Sequence, residues 1–177
     1  AVPSYSLYHP DRYAVSLMNI ILGEGMSSRL FLEIREKRGL AYDVHGSLNQ
    51  FYDCGSLVVY CGSEPARSPD ALEEIMKQLS ILREGFTEQE VTKAREYSKG
   101  RIMLRMEDSR SVAMWQGGQE LLLKEVLTID EVISAIDTVT VDDVNRVARD
   151  LLHPDQLNLA IVGPFRSERR FRNVFKI

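Results

Sequence analysis

The sequence holds 177 residues, 44% of them hydrophobic, which suffices for one buried core and one domain rather than two. A net charge of -4 and a pI near 5.5 argue against nucleic acid as a main partner, because a phosphate-binding surface needs a clustered excess of Lys and Arg. No apolar run approaches the roughly 20 residues of a membrane span, and no charged start followed by an apolar stretch suggests a signal peptide.

The weakly patterned opening, Ala1 to Tyr8, can supply a partial strand. Next, Ala14, Leu17, Met18, Ile21 and Leu22 fall at the spacing of one helical face, opened by Pro10 and Asp11. Gly23 and Gly25 break that helix, and Ser27 is a plausible N-cap for a second one running through Leu30, Phe31 and Ile34 to a stop at Gly39. From Tyr42 the period changes to two. One run reaches about Phe51 and another goes from Cys54 to Cys61, joined by a turn near Asp53, the pattern of a β-hairpin. On one strand the odd spacing of the two cysteines points them to opposite faces, roughly 23 Å apart, so they cannot bridge. Both are expected as small buried side chains, in keeping with a reducing compartment such as the cytoplasm.

Beyond Pro65 the pattern is helical. Ser68 precedes Pro69 at the first helical position, ahead of a stripe of Leu72, Ile75, Met76, Leu79 and Leu82. Thr87 with Glu90, Thr128 with Glu131, and Thr140 with Asp143 each have capping-box spacing. Trp115 and the methionines Met103, Met106 and Met114 are expected to fill core, and a final strand is expected over Leu157 to Val162, before Gly163-Pro164. The basic tail from Arg166 to Lys176 suggests a solvated helix or arm. A hairpin, a block of helices and one more strand is not the alternation that builds a parallel sheet. The expected class is therefore α+β, a mostly antiparallel sheet covered on one face by helices, in a single domain spanning 1–177 whose first strand is truncated.

The chemistry-bearing residues are few: three histidines, His9, His45 and His153, none near another, and two cysteines. Neither H-E-x-x-H nor H-x-x-E-H occurs, so no metal site is expected, and neither a G-x-S-x-G elbow nor a phosphate-binding glycine loop is present. His45 and His153 are expected as surface or capping residues. The acidic pairs Glu73-Glu74 and Asp142-Asp143 sit in first helical turns, where they offset the positive helix end.

One stretch carries more. Leu22-Gly-Glu-Gly-Met-Ser-Ser-Arg-Leu-Phe31, followed by Glu33-Ile-Arg-Glu-Lys-Arg-Gly-Leu-Ala-Tyr42, resembles the pitrilysin and mitochondrial processing peptidase family of zinc metallopeptidases. Asp11-Arg-Tyr-Ala-Val, the Ala66 to Arg83 helix, Phe86-Thr87 and the closing Leu157 to Pro164 follow in that family's order, so the resemblance covers nearly the whole chain. In that family two related α+β halves face each other across a chamber, and the H-x-x-E-H zinc motif lies in the N-terminal half. This chain is similar to the other half.

The resemblance implies a metal-free, substrate-binding half of a zinc endopeptidase acting on extended peptides or presequence-like segments. Zinc and the partner are then expected in an N-terminal half or a separate subunit. It also implies that Arg35 and Tyr42 correspond to an arginine and a tyrosine that reach the substrate. A phenol can donate to the scissile carbonyl oxygen, and a guanidinium to a neighbouring peptide carbonyl. From the residues alone, Arg35 answers a helix dipole and Tyr42 packs at a strand start. The turn at Gly23 and Gly25 either lines the chamber or lets two helices pack closely. The strand after Tyr42, around Val44, offers an edge to an extended peptide. The alternative is a non-catalytic assembly subunit of the same fold.

Overall fold

The computed structural model describes residues 1–123 and 125–177. Its sheet has three antiparallel strands, β1 (Val2–Ser4), β2 (Asp43–Gln50) and β3 (Gly55–Gly62), in the order β1-β3-β2. The hairpin register pairs Val44 with Cys61 and Gly46 with Val59, while β1 sets Val2 against Leu57. Alternation therefore divides the sheet. Val2, Val44, Leu57 and Gly46 face the helices and are buried, whereas Asp43, His45, Asn49 and Tyr60 face outward and are exposed.

Helix α1 (Arg12–Gly23) crosses the inner face. Its expected apolar stripe is fully buried at Leu17, Met18 and Leu22, and Val15 and Ile20 join it, so the helix is the centre of the core. Around it pack α3 (Glu88–Arg105), α5 (Ile129–Asp137) and α6 (Val141–Leu151), with α4 (Ser109–Leu122) following α3, and α2 (Ser68–Glu84) packing on α6 and on α7 (Arg169–Val174).

The three capping boxes form as the spacing requires: Thr87, Thr128 and Thr140 each accept an N–H from the third residue onward, whose carboxylate accepts the cap's own N–H in return. At α2, Pro69 takes the first turn, but the Ser68 hydroxyl donates backward to the Glu64 carbonyl rather than capping.

Several expectations are corrected. The helix expected to open at Ser27 is instead a π-helical turn, Phe31–Glu36, in which the Lys37 N–H donates to the Leu32 carbonyl five residues back; the Ser28 hydroxyl, not Ser27, closes the preceding bend on the Gly25 carbonyl. Leu157 to Val162 forms no ladder and so is not the strand expected there. Its one backbone pairing is reciprocal, Asn158 with Ala1, each N–H to the other's carbonyl at 2.8 Å. Cys54 lies exposed in the hairpin turn, and Cys61 alone is partly buried. Its thiol is pushed up to about 11, by burial first and then by the Asp43 charge. Met103 and Met114 are exposed rather than core, and Trp115 is half-buried. The basic tail is anchored, since Phe171 is buried while its arginines stay in solvent.

Long-range carboxylate pairs tie these elements. Arg146 on α6 reaches both oxygens of Asp11 at the start of α1, at 2.6 and 2.8 Å, and hydrogen bonds from that guanidinium hold the Asp11 carboxyl below its ordinary value. Lys37 and Arg38 hold Glu33 low in the same way, and the Thr140 hydroxyl holds Asp143 low. A carboxyl with a depressed folded pKa contributes stability above its unfolded pKa and loses it as pH falls through the folded value. Urea midpoints should therefore drop as pH descends through the carboxylate range, and Arg146→Gln should flatten that acid limb; an acid limb of unchanged slope in Arg146→Gln would show the Asp11 pair to be irrelevant.

Candidate functional site

Gly23, the last residue of α1, rests directly on the hairpin. A Cβ there would lie 2.2 Å from the Gly46 nitrogen, and one on Gly46 would lie 2.6 Å from the Asn19 side-chain oxygen. This glycine-to-glycine approach brings the end of α1 onto β2. Gly25 then turns at φ +86°, beneath Tyr97, and sends the chain into the π-helical turn. The close approach at Gly23 is of a helix to a strand, not of two helices as expected, and Gly25 is exposed at the surface.

The π-helical turn ends in a left-handed Gly39 (φ +55°), which lets the Leu40 N–H reach back 2.8 Å to the Ile34 carbonyl. A clamp fixes that end. Arg67 donates to the carbonyls of Gly39 (2.6 Å) and Arg38 (3.0 Å), while Arg38 pairs with Glu33 at 2.8 Å and with buried Glu74 at 3.2 Å. Glu74 also accepts from Gln78 at 2.7 Å, and the Glu73-Glu74 pair lies beyond the first turn of α2, where Asp70 stands, so the expected dipole role is corrected. The Arg67 bonds and the Arg38–Glu74 pair have no local sequence signal, because each joins residues brought together only by the fold.

The clamp places Arg35 beside Tyr42. The Arg35 guanidinium carbon lies 4.8 Å from the Phe31 ring centre and 4.9 Å from that of Tyr42, with Glu36 3.8 Å from its Nε. A guanidinium held against two rings in this way still has N–H groups with which to donate to a carbonyl or carboxylate. Tyr42 is 84% exposed, and among the described residues nothing accepts or donates at its hydroxyl. His45 stands two residues from the Asp43 carboxylate, 3.0 Å away, and stacks on Tyr60 at 5.2 Å, on the same outward face.

Val44 is only 5% exposed, so its side chain belongs to the core and only its backbone can meet a ligand. That backbone is well aimed. In an antiparallel ladder alternate residues bond to opposite sides, and the Ala1–Asn158 pair together with the β1-β3-β2 order turns the N–H and C=O groups of Val44, Gly46 and Leu48 toward the outer edge of β2. No strand among the described residues pairs with that edge. Beside it runs a polar groove of about 620 Å³ lined by Asn19, Glu24, Gly25, Ser47 and Asn49, with Glu24 and Arg101 ion-paired across it.

The donor set does not suit a metal. His9, His45 and His153 each face a carboxylate two residues away rather than one another, and among the described residues no three His, Cys, Asp or Glu side chains converge. His153 caps the turn Pro154–Gln156, and His45 is exposed, both as the sequence suggested.

A family model described as the peptidase M16 inactive domain matches residues 1–97. The chain belongs to that family. It is 38% identical to an uncharacterized zinc protease of Streptomyces coelicolor, over 97% of this chain and 37% of the relative, and 36% identical to one of Bacillus subtilis, over 88% and 38%. The chain thus spans less than two fifths of the length of these curated relatives. A conserved protein of Enterococcus faecalis superposes with a TM-score of 0.72 at 27% identity over 85% of this chain and 36% of that one. A peptidase M16 inactive domain from Pseudomonas fluorescens shares the fold, with a TM-score of 0.74 at 24% identity over 85% and 36%. The α+β architecture, with helices on one face of an antiparallel sheet, is therefore that of the M16 inactive domain. No described helix is long and apolar enough to cross a membrane.

Gly23→Ala should cost about 1–3 kcal/mol, because its Cβ collides with backbone that has nowhere to move. A thermal melt within a degree of wild type would show that α1 and β2 are not held together there.

Proposed function

We propose that this chain is the substrate-gripping, metal-free half of a zinc-dependent endopeptidase that hydrolyses extended peptides, presequence-like segments among them. The observation that carries this reading is the stacked pair of Arg35 and Tyr42, held at the head of an unpaired strand edge in a chain of the M16 inactive-domain family. Zinc belongs, in this reading, to an N-terminal half or partner subunit, since the donors here do not fit it.

An extended substrate lies along the outer edge of β2, bonding the backbone groups of Val44, Gly46 and Leu48 without regard to its side chains. Strand addition of this kind suits unfolded segments. The Tyr42 hydroxyl donates to the scissile carbonyl oxygen as negative charge develops, and the in-plane N–H groups of Arg35 hold a neighbouring carbonyl. The rings of Phe31 and Tyr42 keep that fork from rotating, so less entropy is lost when it binds. The Gly25 turn stands beside the same groove, within reach of a bound peptide's flank.

In the complete protease, Tyr42→Phe keeps the ring against Arg35 and removes only the hydroxyl. It should lower kcat by roughly tenfold to a thousandfold, the scale of losing one oxyanion donor, with KM little changed. Arg35→Ala should weaken kcat/KM for the same peptide. If both variants cleave at the wild-type rate, the grip is elsewhere; if the complete wild-type protein cleaves no peptide, the alternative of an assembly subunit with no proteolytic part takes its place.

A further inference from the structure

The groove between α1 and the free edge of β2 holds polar atoms that the fold itself does not use. Asn19 is only 5% exposed, and its amide nitrogen points at the Glu24 carboxylate, 3.5 Å away, which leaves its oxygen turned toward Gly46. That oxygen is buried and bonds to nothing among the described residues. The same holds for the amide nitrogen of Gln50, further along the same strand. Both residues line the groove. Buried polar atoms are nearly always paired, so two orphans beside one opening point to an occupant.

The surroundings say what kind. Ser16, Asn19, Ser47, Asn49 and Gln50 give the groove uncharged hydrogen-bonding side chains. Its two fixed charges, Glu24 and Arg101, are paired with each other across the opening. His45, the titratable ring among its lining residues, is stacked on Tyr60 and held by Asp43. An ammonium or carboxylate entering here must break the Glu24–Arg101 pair or shed its water against neutral groups, and both are unfavourable. A carboxamide carries a donor for the Asn19 oxygen and an acceptor for the Gln50 nitrogen, and brings no charge. At 3.5 Å the Asn19–Glu24 bond is weak, so the Asn19 amide is free to turn its oxygen to an entering donor.

A strand added to β2 meets this groove in a fixed phase. Residues opposite Gly46 and Leu48 share their inward face, so those two side chains enter the groove, the first against Asn19 and the second diagonal to Gln50. The residue between them points to the outer face of the sheet.

We propose that the groove is a subsite for uncharged amide side chains, which makes the chain selective for extended segments carrying Asn or Gln at two alternate positions. Selection of this kind presupposes that β2 takes the substrate along its outer edge, as proposed above, and names what that edge prefers.

Binding is measured on the complete protein, with zinc removed by a chelator so that nothing is cut, using short fluorescein-labelled peptides of Ala and Gly. A peptide with a central Gln-Ala-Gln should bind at least about tenfold tighter than one with Met-Ala-Met, the scale of hydrogen bonds gained by buried orphan groups. It should also bind tighter than one with Gln-Gln-Ala, which has the same composition but can turn only one amide inward. Asn19→Leu, apolar and close in size, and Gln50→Met should each shrink the preference for Gln over Met, and if Asn19→Leu does not fold, Gln50→Met decides. Equal binding of the Gln and Met peptides overturns the inference, as does tighter binding of Lys-Ala-Lys than of Gln-Ala-Gln, or a preference that both variants leave unchanged. Arg35→Ala separates the subsite from the grip. If it weakens every peptide alike while Gln-Ala-Gln holds no advantage, the subsite is wrong and the grip stands; a complete protein that binds no peptide removes both.

Discussion

The contact between Gly23 and Gly46 sets the distance from which everything else is measured. Helix α1 is apolar on the side that meets the sheet, and burial drives it there, but burial has no direction and would accept many crossing positions. Two residues without side chains, meeting backbone to backbone, select one. The end of α1 is then fixed on β2, the Gly25 turn must leave from that point, and the π-helical turn must arrive where Arg35 can lie over Tyr42. The candidate site is thus placed by a packing constraint two turns of chain away from it.

How the site is kept there is a separate matter. The segment opens with a bend and closes on a left-handed glycine, and its closing end is bonded from outside as well as from within. Arg67, just ahead of α2, donates two hydrogen bonds to it, and buried Glu74 fixes Arg38 in turn. A carboxylate buried next to one guanidinium and one amide is costly to expose unpaired, so breaking the clamp at any member strands the others. The arrangement ties the geometry of an exposed pair to the integrity of the buried interior.

Much of this was legible from residues alone, and the boundary between legible and not is physical. The capping boxes, the stripe of α1, the proline start of α2 and the hairpin all depend on neighbours within a few positions, so spacing was enough. The π-helical turn was missed because its apolar spacing is that of an α-helix; only the hydrogen-bond partner differs. Arg35 and Tyr42 came from a family resemblance, and their stacking could not have been read from a separation of seven residues. The clamp was invisible because Arg67 and Glu74 meet Arg38 only after folding. Leu157 to Val162 has strand composition, but a ladder needs a neighbour as well as a propensity. Met103 and Met114 show the same lesson in reverse, for apolar character does not create the surface that would cover it.

The sheet of this chain is left with bonding groups turned outward at both of its lateral limits, along β2 on one side and beyond β3 on the other. Because these limits are unlike each other, joining one to the other of a second molecule does not close a ring by twofold symmetry; it leaves a new pair of limits identical to the old. Two unlike open borders of this kind allow head-to-tail addition of the chain without closure. Its solubility in isolation is then governed less by its charge than by whether those two borders are occupied.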